Sequence, residues 1–219
     1  MNPESVAQYL IDHPDFLAEH PDAFAAMQLP QPHDGRAISL QERQVQTLRE
    51  RVRQFEMRAA DMVRNARENE SFDARLWRWT RTLLAQRDAS ALPIEVIHGL
   101  TTEFAVPVST VRLWRLPEAL ADAPFAQGVS DDVKLFTDSL LTPYCGPNAD
   151  FEAVKWLAGE VRSVALMPLR QSSAPESFGL IVLGSPDAER YNATMGTAFL
   201  VRIGEVASAA LSRCLDARA

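Results

Sequence analysis

The chain has little that chemistry could use. Its 219 residues include two cysteines, Cys145 and Cys214, far apart and without CxxC spacing. That pattern offers no thiolate metal framework and reads as a protein of a reducing compartment. No run of about eighteen apolar residues occurs, so no membrane-spanning helix is expected. The opening MNPESVAQYLIDHPDF lacks a basic start and an unbroken apolar core, which argues against a secretory signal. The four histidines, His13, His20, His33 and His98, are too scattered for metal-ligand spacing. His13 and His20 each precede a proline, where backbone shape accounts for the step. GxxxxGKS/T, GxSxG and HExxH are all missing. These lacks predict a cytoplasmic protein with no membrane partner, no metal, no cofactor and no enzyme activity.

Basic residues are also missing from positions 1–35, which hold six acids. Residues 36–87 reverse this with twelve arginines against seven acids, and residues 88–219 return to ten bases against sixteen acids. A basic stretch can meet phosphate. Here the arginines alternate with Glu42, Glu50, Glu56, Glu68 and Glu70, the pattern of a solvated helix laced with intrahelical pairs, so nucleic acid is not expected as a partner.

What is present is a hydrophobic content of 47 %, enough for a real core, and a heptad. Val45, Leu48, Val52, Phe55, Ala59, Met62 and Ala66 recur every three and four positions, with a break at Asn69 and Asp73 and a resumption at Leu76. Such a narrow stripe is covered by a second helix, so these residues are the predicted interface of a homodimer. In a parallel register Arg51 and Glu56 form an attractive interchain pair. Ser39 and Glu42 form a capping box, and no Gly or Pro intervenes before Pro93. The helix is expected to run to about Arg87, roughly 70 Å at 1.5 Å per residue.

The organisation is therefore threefold: short helices and a linker over 1–35, a dimerisation helix over 36–87, and a domain over 76–219. In the first, Val6, Tyr9, Leu10, Phe16 and Leu17 share an apolar side, and two or three helices should end near Leu29, before the extended connector LPQPHDG. These helices are a candidate surface for a protein partner. In the domain, Ile94, Val96, Ile97, Leu100 and Phe104 predict a helix closed by Val106–Pro107. Val108–Leu116 predicts a strand with Val111 and Leu113 on one face and Thr110, Arg112 and Trp114 on the other. Val133, Phe136, Leu140 and Leu141 predict a short helix, and TPYCGPN a turn. Val161–Leu169 and Phe178–Leu183 predict an antiparallel hairpin. Gly179 and Gly184 are read as turn residues. A last helix over 192–214 should bury Phe199, Ile203, Val206, Ala210 and Cys214. The order gives an α+β fold with an antiparallel sheet.

Several of these stretches resemble one family. His13-Pro14-Asp15-Phe16, Leu40 to Arg43, Pro143 to Gly146, Gly184 to Asp187 and Met195-Gly196-Thr197 are similar to the bacterial domain-of-unknown-function family 484. The resemblance implies a GAF-like sheet of about six strands, with helices on one side and a small-molecule cleft on the other. The Asn-Lys-Phe-Asp-Glu series of cyclic-nucleotide-binding GAF domains is missing, which disfavours cyclic GMP or AMP. The ligand candidates are Arg112 and Trp114, a guanidinium beside an aromatic plate, with Phe136, Tyr144 and Cys145. Some GAF-like domains are methionine sulfoxide reductases with clustered cysteines, so a thiol enzyme built on Cys145 is a further alternative. The leading expectation is a dimeric sensory module for an unidentified small molecule or protein. Its rival is a scaffold whose cleft is plugged by Trp114 and Phe136.

Overall fold

A computed structural model describes residues 2–26, 28–30, 37–171, 174–192 and 197–215, with the side chains of 17, 24–26, 28–30 and 37–42 left out. The chain forms two compact units, Met1–Asn69 and Glu70–Ala219.

The first unit begins with three helices, α1 (Pro3–Asp12), α2 (Phe16–Glu19) and α3 (Pro21–Ala26). The Asn2 side chain accepts from the Glu4 amide and Pro3 opens α1, where a proline costs no hydrogen bond. Both His-Pro steps end a helix: the amides of His13 and His20 donate to the carbonyls of Tyr9 and Phe16. Each imidazole lies against the ring four residues earlier, His13 on Tyr9 at 4.3 Å and His20 on Phe16 at 4.6 Å. Of the apolar side predicted for this segment, Val6 and Tyr9 are exposed, Leu10 and Phe16 are half-buried, and the side chain of Leu17 lies outside the description; α1 has no buried residue. Two short strands pair antiparallel, β1 (Gln28–Pro30) with β2 (Ala37–Ser39); of the expected connector LPQPHDG, residues 31–35 fall outside the described residues. The side chains of the Ser39–Glu42 capping box, and His33, fall outside the described residues.

Helix α4 (Leu40–Ala85) has 46 residues, close to the expected extent. Within the second unit it is followed by α5 (Leu92–Phe104) and the strand β3 (Val108–Leu113). Ala105 takes a left-handed φ of 52° and its amide donates to the Leu100 carbonyl, closing α5. Strand β3 stops three residues short of the expected Leu116 because Arg115 turns out with φ 63°. Two 3₁₀ turns, Glu118–Leu120 and Pro124–Ala126, come next, then α6 (Asp131–Ser139), with Ser130 capping the Val133 amide. Leu141, expected on that helix, lies beyond it and is exposed.

The sheet has four antiparallel strands among the described residues, in the order β3-β6-β5-β4, from β4 (Tyr144–Pro147), β5 (Ser163–Arg170) and β6 (Ser177–Ser185). The β5–β6 hairpin is as predicted. Two expectations change. The segment read as a turn, TPYCGPN, supplies edge strand β4, pairing Tyr144 with Leu166 and Cys145 with Ala165. The sheet also has fewer strands than the six expected, because the chain after β3 turns out at Arg115 and carries Pro117 and Pro124; Leu116, Leu120 and Phe125 pack on the core instead. Pro168 sits in β5 opposite Leu180. It is tolerated there because β4 begins opposite Leu166, so no described strand asks Pro168 for a ladder hydrogen bond.

Gly179 and Gly184 lie inside β6, not in turns. A Cβ on Gly184 would meet Leu157 Cδ1 at 2.7 Å, and one on Gly179 would meet Leu113 Cδ2 at 2.6 Å. Close packing, not a turn, requires glycine at both.

The helices α5 and α7 (Ala198–Leu211) and the 70–85 stretch of α4 cover one face of the sheet. Their core joins Phe72, Leu76, Trp79 and Leu83 of α4 to Val111, Leu113, Ala165, Met167, Ile181 and Leu183. The last helix is rotated from its expected setting: Leu200, Ile203, Ala207 and Leu211 form its buried stripe, with Phe199, Val206 and Ala210 at the flanks, and Cys214 is buried in a 3₁₀ turn beyond it. Helix α6 and the 3₁₀ turn Glu152–Trp156 cover the second face.

Candidate functional site

Alternation along the strands places Arg112, Val164, Leu166, Leu180 and Val182 on the second face of the sheet, the side where the sequence suggested a ligand. That face is not bare. Val133, Ala153 and Val154 bury against it, and Trp114, Phe136, Tyr144, Phe151 and Trp156 pack around them, half-buried. The aromatic rings touch in series: Phe136 to Phe151 at 5.5 Å and Tyr144 to Phe151 at 5.1 Å, edge to face. Trp114 Nε1 donates to the Ser177 carbonyl at 2.7 Å, and Trp156 Nε1 to the Gly128 carbonyl at 2.9 Å. Both indoles are thus held by the backbone they cover.

Arg112 is the charged member of this layer. Its guanidinium lies over the Trp156 ring at 5.4 Å, and one terminal nitrogen donates to Thr110 Oγ1 and to the Val111 carbonyl. Its Nε is buried without a hydrogen-bond partner, an unusual state for a charged group. Burial lowers its pKa from the usual arginine value, yet a guanidinium remains charged near neutral pH. Of the five ligand candidates, Arg112, Trp114, Phe136 and Tyr144 share this face. Cys145 does not, because it follows Tyr144 in a strand and points the other way, into the core under the helices.

Neither thiol is set up as a nucleophile. Cys145 and Cys214 are both buried and free. Burial raises Cys145, and Cys214 is pushed up to about 11, mainly by burial and only partly opposed by Arg213. Its Sγ–H donates to the Ala89 carbonyl at 3.1 Å. A reactive thiol needs the opposite surroundings.

The described surface also has an open groove of about 1050 Å³ between α7 and the end of β5, lined by Pro143, Met167, Arg170, Val201, Gly204 and Ser208 among others. The sequence reading missed it, although Gly204, Ser208 and Ser212 recur every four residues and keep that side of α7 shallow. Arg170 is at its rim, but its guanidinium is committed. It donates to the Thr137, Asp138 and Pro175 carbonyls, a cation at the C-terminal end of α6. Burial would raise the neighbouring Asp138 carboxyl, but hydrogen bonds from Ser177 and the charges of Arg170 and Arg115 outweigh that and hold it below its usual value. Among the described residues no cluster of His, Cys, Asp and Glu could hold a metal ion, and no helix is long and apolar enough to cross a membrane.

The predicted interface residues all lie on α4, where residues 43–69 are exposed throughout. Val45 is 41 % exposed, Leu48 58 %, Val52 55 %, Phe55 68 % and Met62 72 %, and Ala59 and Ala66 are exposed with them.

The model of the family described as protein of unknown function, DUF484, matches residues 1–216. An uncharacterized protein of Salmonella typhimurium, YigA, is 23 % identical over 209 residues, which is 93 % of this chain and 88 % of that one. A GAF domain assigned to a sensor histidine kinase of Pseudomonas syringae pv. tomato is 16 % identical and covers 68 % of this chain and 91 % of its own, with a TM-score of 0.46. The free methionine-R-sulfoxide reductase of Neisseria meningitidis is 13 % identical, covering 64 % and 88 %, with a TM-score of 0.45. The GAF domain of the potassium sensor histidine kinase KdpD of Escherichia coli is 15 % identical, covering 64 % and 92 %, with a TM-score of 0.42.

Proposed function

The chain belongs to the DUF484 family, and from that premise we propose that it is a non-catalytic cytoplasmic interaction module that pairs with a second copy through α4. The observation that carries this is the row Val45, Leu48, Val52, Phe55 and Met62, left 41–72 % exposed by a single chain. Each such side chain gains about 1.5–3 kcal/mol when fully buried, and three-four spacing suits burial against a like helix. The filled second face supports a scaffold over a sensor. Five aromatic residues occupy the place of the expected cleft, as the scaffold reading requires. The acidic α1–α3 segment, of which α1 has no buried residue, is the candidate arm for a protein partner.

The test is the mass of the full-length protein in solution. Sedimentation equilibrium should give a dimer at micromolar concentration, and Leu48→Glu with Phe55→Glu should give a monomer with unchanged helix content. A wild-type monomer at all concentrations sinks the reading.

A second reading is favoured by the orphaned Arg112 Nε over Trp156. An anionic, planar small molecule that displaced part of the aromatic layer would satisfy it. Native mass spectrometry of the freshly purified protein should then show a retained mass that Arg112→Ala abolishes. A clean apo mass together with a dimer leaves the scaffold reading in possession.

A further inference from the structure

Helix α7 carries a glycine, Gly204, that the chain's own packing does not call for. Its φ is not left-handed, and among the described residues nothing lies within 4 Å of where its Cβ would stand. Inside a helix glycine is a poorer choice than alanine, so the empty space beside Gly204 is kept at a cost to stability. That space belongs to the groove of about 1050 Å³ between α7 and the end of β5. Strand β5 supplies the facing wall. The Asn148 amide donates to the Arg162 carbonyl, which makes Gly146–Val164 and Tyr144–Leu166 the hydrogen-bonded pairs of the β4–β5 ladder and turns the Pro168 carbonyl to that same side. Strand β4 starts at Tyr144, so no described strand lies opposite Pro168. We propose that the groove between Gly204 and this open edge of β5 docks a short extended peptide of another protein, one that carries Lys or Arg.

Backbone access and charge select that occupant. A chain laid along Gly204 can bring its own backbone close, which a larger side chain there would prevent, and its N–H can donate to the Pro168 carbonyl. The lining holds two charged residues, Arg170 and Glu205. Arg170 is spent on the Thr137, Asp138 and Pro175 carbonyls and stands beside the Asp138 carboxylate. Glu205 is exposed and has no ion pair or side-chain hydrogen bond among the described residues. The charge left to be matched is therefore negative, and a Lys or Arg side chain matches it. Leu141, which also lines the groove, is 90 % exposed and gives an apolar neighbour something to cover. Pro168 argues against an edge strand of a second copy. It has no N–H to return, and the next amide, that of Arg170, already donates to Ser208 Oγ at 3.3 Å, so a full ladder cannot form. A peptide anchored by its side chains needs only the carbonyl.

A random heptapeptide library displayed on phage and panned on the immobilised full-length protein should yield binders rich in Lys or Arg. Their dissociation constants, read by fluorescence anisotropy, should rise about tenfold or more in Glu205→Lys. Gly204→Leu should abolish binding with unchanged far-ultraviolet circular dichroism, and Gly204→Ala should raise the melting temperature. Leu135→Glu, at an exposed position of α6 across the sheet, should bind as the wild type does. Selected peptides that hold Gly204→Leu and Glu205→Lys as tightly as the wild type overturn the proposal, and so does a library that yields no binder. A lowered melting temperature in Gly204→Ala overturns it too, because the chain's own packing would then need the space. A smaller sedimentation mass in Gly204→Leu gives the groove to a second copy, and a small molecule retained by the wild type but lost by this variant gives it to a metabolite; either result overturns the peptide. The α4 pairing stands or falls separately, on the mass of the wild type.

Discussion

Residues 43–69 and residues 70–85 belong to one helix, with apolar residues at the same three-four spacing and no Gly or Pro in either stretch, yet they meet opposite fates. In the first, Phe55 is 68 % exposed; in the second, Trp79 is 1 % exposed. Spacing fixes that a helix has an apolar side, not what covers it. The second stretch meets α5, α7 and a sheet. It is also tied at its end, where Arg213 donates to the Leu83 and Gln86 carbonyls, a cation placed at a helix C-terminus. Among the described residues, the seam of the first stays exposed.

Removing the large side chain from each stretch tests that contrast most severely. Trp79→Ala should cost the globular unit about 3–5 kcal/mol, the usual loss for a buried aromatic, read as a lowered urea midpoint. Phe55→Ala should leave that midpoint unchanged while weakening self-association. Equal losses from the two would break the comparison.

Thiol labelling sharpens it next. Cys214 sits beside the end of α4, donates to the Ala89 carbonyl, and has a pKa pushed up to about 11. At pH 8 it should react at least about a hundredfold more slowly than free cysteine. Trp79→Ala should speed the reaction and Phe55→Glu should not. The sign of the pH dependence follows from the direction of the shift. The neutral thiol is favoured in the folded state, so its contribution to stability is complete below the ordinary thiol pKa and is lost as pH rises through about 11. A urea midpoint that climbs over that alkaline range would contradict the burial of Cys214.

Gly99→Ala should cost about 1–3 kcal/mol, because the new Cβ would lie 2.1 Å from Trp79 Cδ1 and Nε1. A neutral effect would mean that α4 is held less tightly on α5 than the packing implies. The smallest effect belongs to Arg202→Ala. Its pair with Asp73 is half-exposed on both sides, so thermal unfolding of the monomer should register under about 1 kcal/mol.

Elements with their own periodicity were legible before folding. The uninterrupted run after Ser39 marked α4, the alternation of Val111 and Leu113 marked the inward face of β3, and two apolar runs around a polar loop marked the β5–β6 hairpin. Strand β4 was not legible. Its four residues include Gly146 and Pro147, which read as a turn, and only pairing with β5 makes them a strand. That pairing also decided the site. It sent Cys145 under the helices and left Tyr144 with Arg112, Trp114 and Phe136, while Phe151 and Trp156, which completed the aromatic layer, came from a stretch with no periodic signal.

The sequence by itself determined the helices, the antiparallel class of the sheet, the missing catalytic motifs and the presence of a seam, because each is written in spacings of a few residues. The tertiary structure decided the rest: that Leu76 turns inward and Trp77 outward, that Asp73 is neutralised from α7, and that the expected cleft is packed with rings. These depend on contacts between residues far apart in the chain, Asp73 with Arg202 or Trp114 with Ser177, and local periodicity cannot encode which surfaces will meet.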